Sequence, residues 1–361
     1  MFGKLKHHTQ TPSSGEEGAS ERPRHQPQIP SSKEVGALET RGILPLHSRG
    51  GTATLRNLLP LLFRRGGRGV VAACAGLALT SAAPAPPQNP AASPDIAAAC
   101  TGHDGWSDPG PPAHIHGNTW YVGTCGITVV LIKTSAGLVL IDAGPEDAAP
   151  LVLANIRALG FDPKKVKWIL STHEHFDHSG GIAALQAATG ARVAVGPFAA
   201  QALRSGRPYP DDPQFARLTA PVAPVRVDRV LRDGGSLLVG GTRFTAHATP
   251  THSPGSTSWT WRSCARGQCL TVADADSVNT ISADSYRFSD HPERVTAARA
   301  GLKVVAALPC DIIVTPHPAG SDLFARLSGT APLIDPGACR AYAQAGSERL
   351  DQRLAREAAP K

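Results

Sequence analysis

The sequence predicts one α/β domain over residues 86–361. Two observations carry this. From Cys100 onward, short apolar runs alternate with longer amphipathic stretches, the rhythm of strands and helices taken in turn. Clusters of His, Asp, Ser and Gly fall where those strands end, which is where α/β proteins gather their chemistry.

In chain order, Ile127–Ile132 and Leu138–Ile141 are expected strands, joined by a turn at Ser135-Ala136-Gly137. Glu146–Leu159 has helical periodicity and is closed by Gly160. Val166–Leu170 reads as a buried strand, and Ile182–Thr189 as a short helix stopped by Gly190. Further strands are expected at Arg192–Val195, Phe244–Ala248, Ser258–Trp261 and Cys269–Ala273. A helix over Glu293–Leu308 leads into strand Asp311–Val314, and Ala338–Arg356 is a terminal helix. No internal repeat is visible.

The first 85 residues differ from the rest. Residues 1–63 are rich in Ser, Gly, Pro and charge and show no periodicity, so they are expected to be disordered or a mis-assigned start of the chain. Residues 64–85 read as a signal peptide: Arg64, Arg65 and Arg68 precede the charge-free run Val70–Ala83, with cleavage expected near Ala82–Ala85. That run is too short to span a bilayer, which takes about 20 residues, so no stable membrane anchor is expected. Cys74 follows Val71-Ala72-Ala73, but most of the apolar run lies after it, which argues against a lipidation site. The expected location is periplasmic or secreted.

Charge follows the same division. The net charge of +7 would suit a nucleic-acid partner, but residues 1–85 hold 11 Lys/Arg against 5 Asp/Glu. The remainder carries 25 basic and 24 acidic residues. A body so balanced has no basic tract to neutralise many phosphates, so no nucleic acid is expected. Six cysteines lie beyond the leader, at 100, 125, 264, 269, 310 and 339, and none forms Cys-x-x-Cys. An even set after an export signal fits disulfides in an oxidising compartment, with the pairing open from sequence alone.

The chemistry concentrates in Ser171-Thr172-His173-Glu174-His175-Phe176-Asp177-His178-Ser179-Gly180-Gly181, between a buried strand and a helix. Imidazole nitrogen and carboxylate oxygen suit zinc. His173 and His175 are two apart, so an extended backbone turns both to one side. Asp177 and His178 follow as the chain turns and are placed for a second metal. A lone loop histidine is usually a solvated one; four such groups in this spacing are not. His252, in Thr251-His252-Ser253-Pro254-Gly255, and His317, in Thr315-Pro316-His317-Pro318, complete the set at other strand ends. His103, His114, His116, His247 and His291 show no ligand spacing, and Trp120, Trp259 and Trp261 are expected in the core. Asp142, ending a strand nearby, is expected to support a ligand rather than bind metal.

This constellation resembles the metallo-β-lactamase superfamily over about Cys100 to Arg356. Gly117-Asn118-Thr119-Trp120-Tyr121-Val122-Gly123, Ser253-Pro254-Gly255-Ser256-Thr257-Ser258-Trp259, Ala275-Asp276-Ser277 and Thr315-Pro316-His317-Pro318 are most similar to the third subclass of class B β-lactamases. The resemblance implies a four-layer αββα sandwich and two zinc ions per chain. His173, His175 and His252 would hold the first, and Asp177, His178 and His317 the second, with Asp177 also orienting the nucleophile. Zinc brings the pKa of a bound water to about 7, and no serine nucleophile is needed. Ser277 and Asn279 fall where the family meets the substrate carboxylate. Asn279 stands in place of the usual Ser or Thr, and Asp274 in place of an aromatic. The disulfides implied are Cys100–Cys125, Cys264–Cys269 and Cys310–Cys339; the second pair also flanks what reads as a hairpin tip.

The expected function is hydrolysis of the β-lactam amide by a monomer acting on a small molecule. The first alternative is another hydrolase of this fold, a lactonase or glutathione-thioester hydrolase, in which Asp276 would supply a carboxylate bridging both metals. A non-enzymatic zinc-binding surface protein is the second, opposed by the complete ligand set.

Overall fold

The computed structural model describes residues 95–218 and 221–359. The expected disordered segment, the signal peptide and the boundary at residue 86 lie outside the described residues, as does Cys74.

Twelve strands among the described residues form two sheets. The first holds β1 (Ala113–His116), β2 (Thr119–Tyr121), β3 (Val130–Thr134), β4 (Gly137–Ile141), β5 (Val166–Leu170), β6 (Arg192–Val195) and β7 (Arg229–Val230), paired in that order. The second runs β12-β11-β10-β9-β8, from β8 (Ser236–Val239), β9 (Thr242–Ala248), β10 (Thr257–Ala265), β11 (Gln268–Asp274) and β12 (Ile312–Val314). Strands β4 to β7 are parallel, as are β11 and β12; the other pairs are antiparallel. The helices are α1 (Ile96–Ala99), α2 (Ala149–Ala158), α3 (Phe176–Ser179), α4 (Ile182–Thr189), α5 (Pro197–Ser205), α6 (Pro292–Ala306), α7 (Leu323–Leu327) and α8 (Ala338–Ala358).

The period-2 alternation of side chains explains the layering. In β4, Val139 and Ile141 face the second sheet and join Phe244, Trp259, Trp261 and Val272 in one apolar core. Their neighbours Leu138 and Leu140 face the other way and pack on Val152 and Ile156 of α2, with Ile182 and Leu185 of α4. A strand covered on both faces has to be apolar, which is why β4 reads as an unbroken run and β5 is interrupted only at the exposed Lys167. On the far side, Ala273 and Ile313 of the second sheet pack on Ala298, Leu302 and Val305 of α6 and Ala343 and Leu350 of α8. The layers are therefore helix, sheet, sheet, helix, as the resemblance implied.

Several elements depart from the sequence expectation. The strand expected from Ile127 begins at Val130, because the Ile127 carbonyl is occupied by a turn: it accepts from Thr124 N–H (3.0 Å) and the Tyr121 hydroxyl (2.9 Å). The helix expected from Glu146 opens as a single 3₁₀ turn and becomes α-helical at Ala149, with Pro150 in its first turn, where a missing N–H costs nothing. Strands β1, β2, β7 and β8 and helices α1, α3, α5 and α7 are not among the elements expected from the sequence.

The three disulfides pair as the resemblance implied: Cys100–Cys125, Cys264–Cys269 and Cys310–Cys339. Cys264 and Cys269 are direct partners across the β10–β11 hairpin, and Cys310–Cys339 ties the entry to β12 to the first turn of α8.

Candidate metal centre

The site lies at the carboxyl ends of strands from both sheets. β5 runs out into residues 171–178, the β9–β10 connection carries His252, and β12 delivers His317. Asp142 sets the first of these loops. It takes a left-handed backbone (φ 63°), uncommon for a residue with a side chain. That strain is held by its carboxylate, which accepts the Thr172 N–H and the Thr172 hydroxyl at 2.7 Å each. Asp142 therefore supports the ligand loop, as expected. The loop from β9 comes equally close: a Cβ on Gly255 would stand 2.0 Å from Glu174 Oε2, so no side chain fits there.

All six expected ligands converge, and hydrogen bonds on the far side of four of the five rings show which nitrogen is free. His173 Nδ1–H donates to Asp276 Oδ1 (2.9 Å), and His175 Nε2–H to Asp212 Oδ2 (2.7 Å). His252 Nδ1–H donates to the Asn279 carbonyl (3.0 Å), and His317 Nδ1–H to the Gly126 carbonyl (3.2 Å). His178 Nδ1 stands 3.7 Å from Asp142 Oδ2. This leaves His173 Nε2, His175 Nδ1, His252 Nε2, His178 Nε2, His317 Nε2 and Asp177 Oδ2 turned inward. Partners on the outer nitrogen fix ring orientation and raise the basicity of the inner one.

The inward atoms fit metal. His173 Nε2 is buried and has no hydrogen-bond partner among the described residues. The free nitrogens of His175 and His252 face each other at 3.1 Å, and with His173 they form one three-residue group. Asp177 Oδ2, His178 Nε2 and His317 Nε2 stand 3.1, 3.2 and 3.4 Å apart. A tetrahedral zinc with bonds of about 2.0–2.1 Å spaces its ligands by roughly 3.3 Å. His317 is the open member, with a third of its side chain exposed (33%), and marks the mouth; the other ligands are buried.

The electrostatics agree with a donor set built for cations. Burial would raise Asp177, but the imidazoles of His178, His317 and His173 outweigh it and hold the carboxyl well below its usual range. Burial lowers His178 to about 4 and His252 to about 3, keeping both neutral and able to bind metal. His175 is the exception: burial would lower it, but the hydrogen bond and charge of Asp212 bring it up to about 9, so a metal bound there would displace a proton. Behind the site, burial and the charge of Asp276 raise Asp274 to about 8.

Asp276 lies on the outer side of His173, away from the inward nitrogen, so it orients a ligand rather than bridging two metals. Ser277, Asn279 and His317 line one cleft of about 640 Å³. Asp212, Gln214 and the Asn279 carbonyl belong to the site, yet no sequence signal marked them. Asp212 and Gln214 sit on a loop without regular structure, the Gln214 amide 3.2 Å from His252 Nε2. Exposed Trp106 and Phe176 pair at the rim, ring centroids 5.5 Å apart, with Trp106 6.0 Å from His317.

The family model of the metallo-beta-lactamase superfamily matches residues 122–317, a span that contains all six inward-facing residues. The chain belongs to that superfamily. Its solved neighbours are metallo-β-lactamases, among them subclass B3. The enzyme MIM-1 from Novosphingobium pentaromativorans is 58% identical, with a TM-score of 0.72, covering 73% of this chain and 97% of that one. MEM-A1, a subclass B3 metallo-beta-lactamase isolated from a soil metagenome library, is 40% identical with a TM-score of 0.68, covering 71% of this chain and all of that one (100%). A hydroxyacylglutathione hydrolase of Anaeromyxobacter dehalogenans (strain 2CP-C) is 29% identical over 230 residues, 64% of this chain and 74% of that protein.

Proposed function

We propose that the chain is a zinc-dependent β-lactamase that hydrolyses the ring amide of penicillins, cephalosporins and carbapenems. The observation that carries this reading is the cleft that joins the ligand His317 to Ser277 and Asn279. A bicyclic β-lactam carries both a reactive carbonyl and a ring carboxylate, and the cleft brings the expected metal ligand His317 together with the neutral side chains of Ser277 and Asn279.

His173, His175 and His252 would hold one zinc ion, and Asp177, His178 and His317 a second. When bound, the zinc ions supply a water that ionises near neutral pH and a positive field for the carbonyl oxygen and the departing nitrogen. The chain's residues do the rest. Asp212, Asp276 and the Asn279 carbonyl hold the first three rings in one tautomer. Asp177, ionised across the working range, orients the attacking water and accepts its proton on a carboxylate oxygen. The new C–O bond forms as the C–N bond breaks, and the proton passes to the nitrogen. Trp106 and Phe176 give the mouth an apolar rim for the substituent on the β-lactam ring.

The thioester-hydrolase alternative finds support in the curated relative. Against it stands Asp276, whose carboxylate is turned to the back of His173. Export to the periplasm or beyond is part of the same reading, supported by the three disulfides and the basic-then-apolar segment at residues 64–85. The test is a chromogenic cephalosporin assay on periplasmic extract and on purified protein. Hydrolysis is expected in both, abolished by a chelator and restored by zinc, with a mature N-terminus between Ala82 and Ala92. Zinc-loaded protein that left cephalosporins and carbapenems intact while cleaving a glutathione thioester or a lactone would overturn the assignment.

A further inference from the structure

Helix α8 runs alongside the segment that follows Ser277, and two contacts fix it there. At Gly346 a Cβ would stand 2.8 Å from Val278 Cβ and 2.9 Å from the Val278 carbonyl, so the helix backbone meets this segment with only a hydrogen between them. Further along, Arg353 donates to the Thr280 carbonyl (3.2 Å) and the Ser282 hydroxyl (2.7 Å). Arg349 lies between these anchors, three residues after Gly346 and four before Arg353, spacings that share one helix face. The anchors bracket residues 278–280, so the stretch of α8 that carries Arg349 runs along the segment that carries Asn279.

Arg349 lines the same cleft of about 640 Å³ as Ser277, Asn279 and His317. It is exposed, and among the described residues it makes no hydrogen bond or ion pair. The other cation of the cleft is engaged: Arg326 donates to the Ser321 carbonyl (2.7 Å) and the Pro332 carbonyl (2.6 Å) and stands 3.8 Å from Asp335. The Ser277 hydroxyl and the Asn279 amide also have no partner among the described residues, and Asn279 Oδ1 is buried without one. One uncommitted guanidinium and two uncommitted neutral side chains therefore line the same cleft as His317.

We propose that Arg349 is a specificity-determining residue: its guanidinium receives the carboxylate of the substrate, with Ser277 and Asn279 completing the contact. This rests on the β-lactam reading, since the carboxylate belongs to the ring fused to the β-lactam. A guanidinium matches a carboxylate with paired donors. Because Arg349 and His317 line one cleft, a contact to the carboxylate also positions the substrate relative to the metal centre. The contact exists before and during the reaction, so it acts on binding more than on turnover.

The test compares a cephalosporin bearing its free carboxylate with the methyl ester of the same compound, using zinc-loaded native protein and the variants Arg349→Ala, Arg349→Lys and Arg349→Glu. Zinc content and circular dichroism check that each variant is folded and loaded. For the acid, Arg349→Ala is expected to raise KM roughly tenfold, as for the loss of one exposed charge-assisted contact, with kcat little changed. Arg349→Lys should recover part of the loss, and Arg349→Glu should deepen it. The ester should respond weakly to all three. If Arg349→Ala leaves the ratio of acid to ester unchanged, the Arg349 assignment falls while the β-lactam reading stands. If native protein opens neither compound, the β-lactam reading falls and Arg349 falls with it.

Discussion

Asp212 reaches His175 from a loop with no regular structure, at 2.7 Å, and turns the ring so that Nδ1 points inward. Its value is in that orientation. With Asp212→Ala, His175 can take the other tautomer and its ring is free to rotate. Affinity at the first metal site is expected to fall between tenfold and a hundredfold, the usual range for losing such a partner. Competition against a chromogenic chelator measures this without any substrate; an unchanged zinc affinity would show that packing alone orients the ring. The inner ligands were legible in the sequence because the same motif supplies four of them at fixed spacing. Asp212 was not, because nothing local distinguishes Pro210-Asp211-Asp212-Pro213 from an ordinary turn. The Asn279 carbonyl was harder still, since the group that matters there is backbone and any side chain would serve.

Among the elements, Val166–Leu170, Ile182–Thr189 and Arg192–Val195 have in the structure the bounds read from sequence. Each is an apolar run closed by a polar or glycine boundary, and each is covered by other layers. The missed strands β1 and β2 carry little apolar signal: Ala-His-Ile-His and Thr-Trp-Tyr owe their form to pairing with each other and with β3. Helix α5 carries a start signal in Gly196-Pro197 and a clear apolar face, but its 9 residues are too few for helical periodicity to be read with assurance from sequence. The position of α8 depends on covalent chemistry as well as packing. Cys310–Cys339 closes a loop with a sequence separation of 29, worth about 3–4 kcal/mol in the chain-entropy model. The double change Cys310→Ser with Cys339→Ser is expected to lower the melting temperature by several degrees in scanning calorimetry and to leave zinc stoichiometry intact. A melting temperature equal to native would mean that the contacts of α8 with α6 hold the helix unaided.

For the molecule as a whole, the buried carboxylates Asp142, Asp274 and Asp276 make the metal-free state sensitive to pH. Asp274 titrates near 3.8 when unfolded, whereas burial and Asp276 hold it at about 8 in the fold. The folded state therefore keeps a proton that the unfolded chain has lost. Stability from this group falls as pH rises from about 4 through about 8, and levels off above. Asp274→Asn removes the ionisation. Melting of chelator-treated protein should show the variant above native at pH 8.5 and equal to it near pH 4; the same difference at both pH values would rule out the charge as the cause.

The ligands come from both sheets: the loop after β5 supplies four, and loops of the second sheet supply His252 and His317. Any ion bound between them rivets the two halves of the sandwich together. Selection cannot then adjust catalysis and robustness separately at these positions. A lineage under antibiotic pressure has to vary the cleft wall, at Asn279 and along the exposed face of α8, where change alters taste without loosening the rivet.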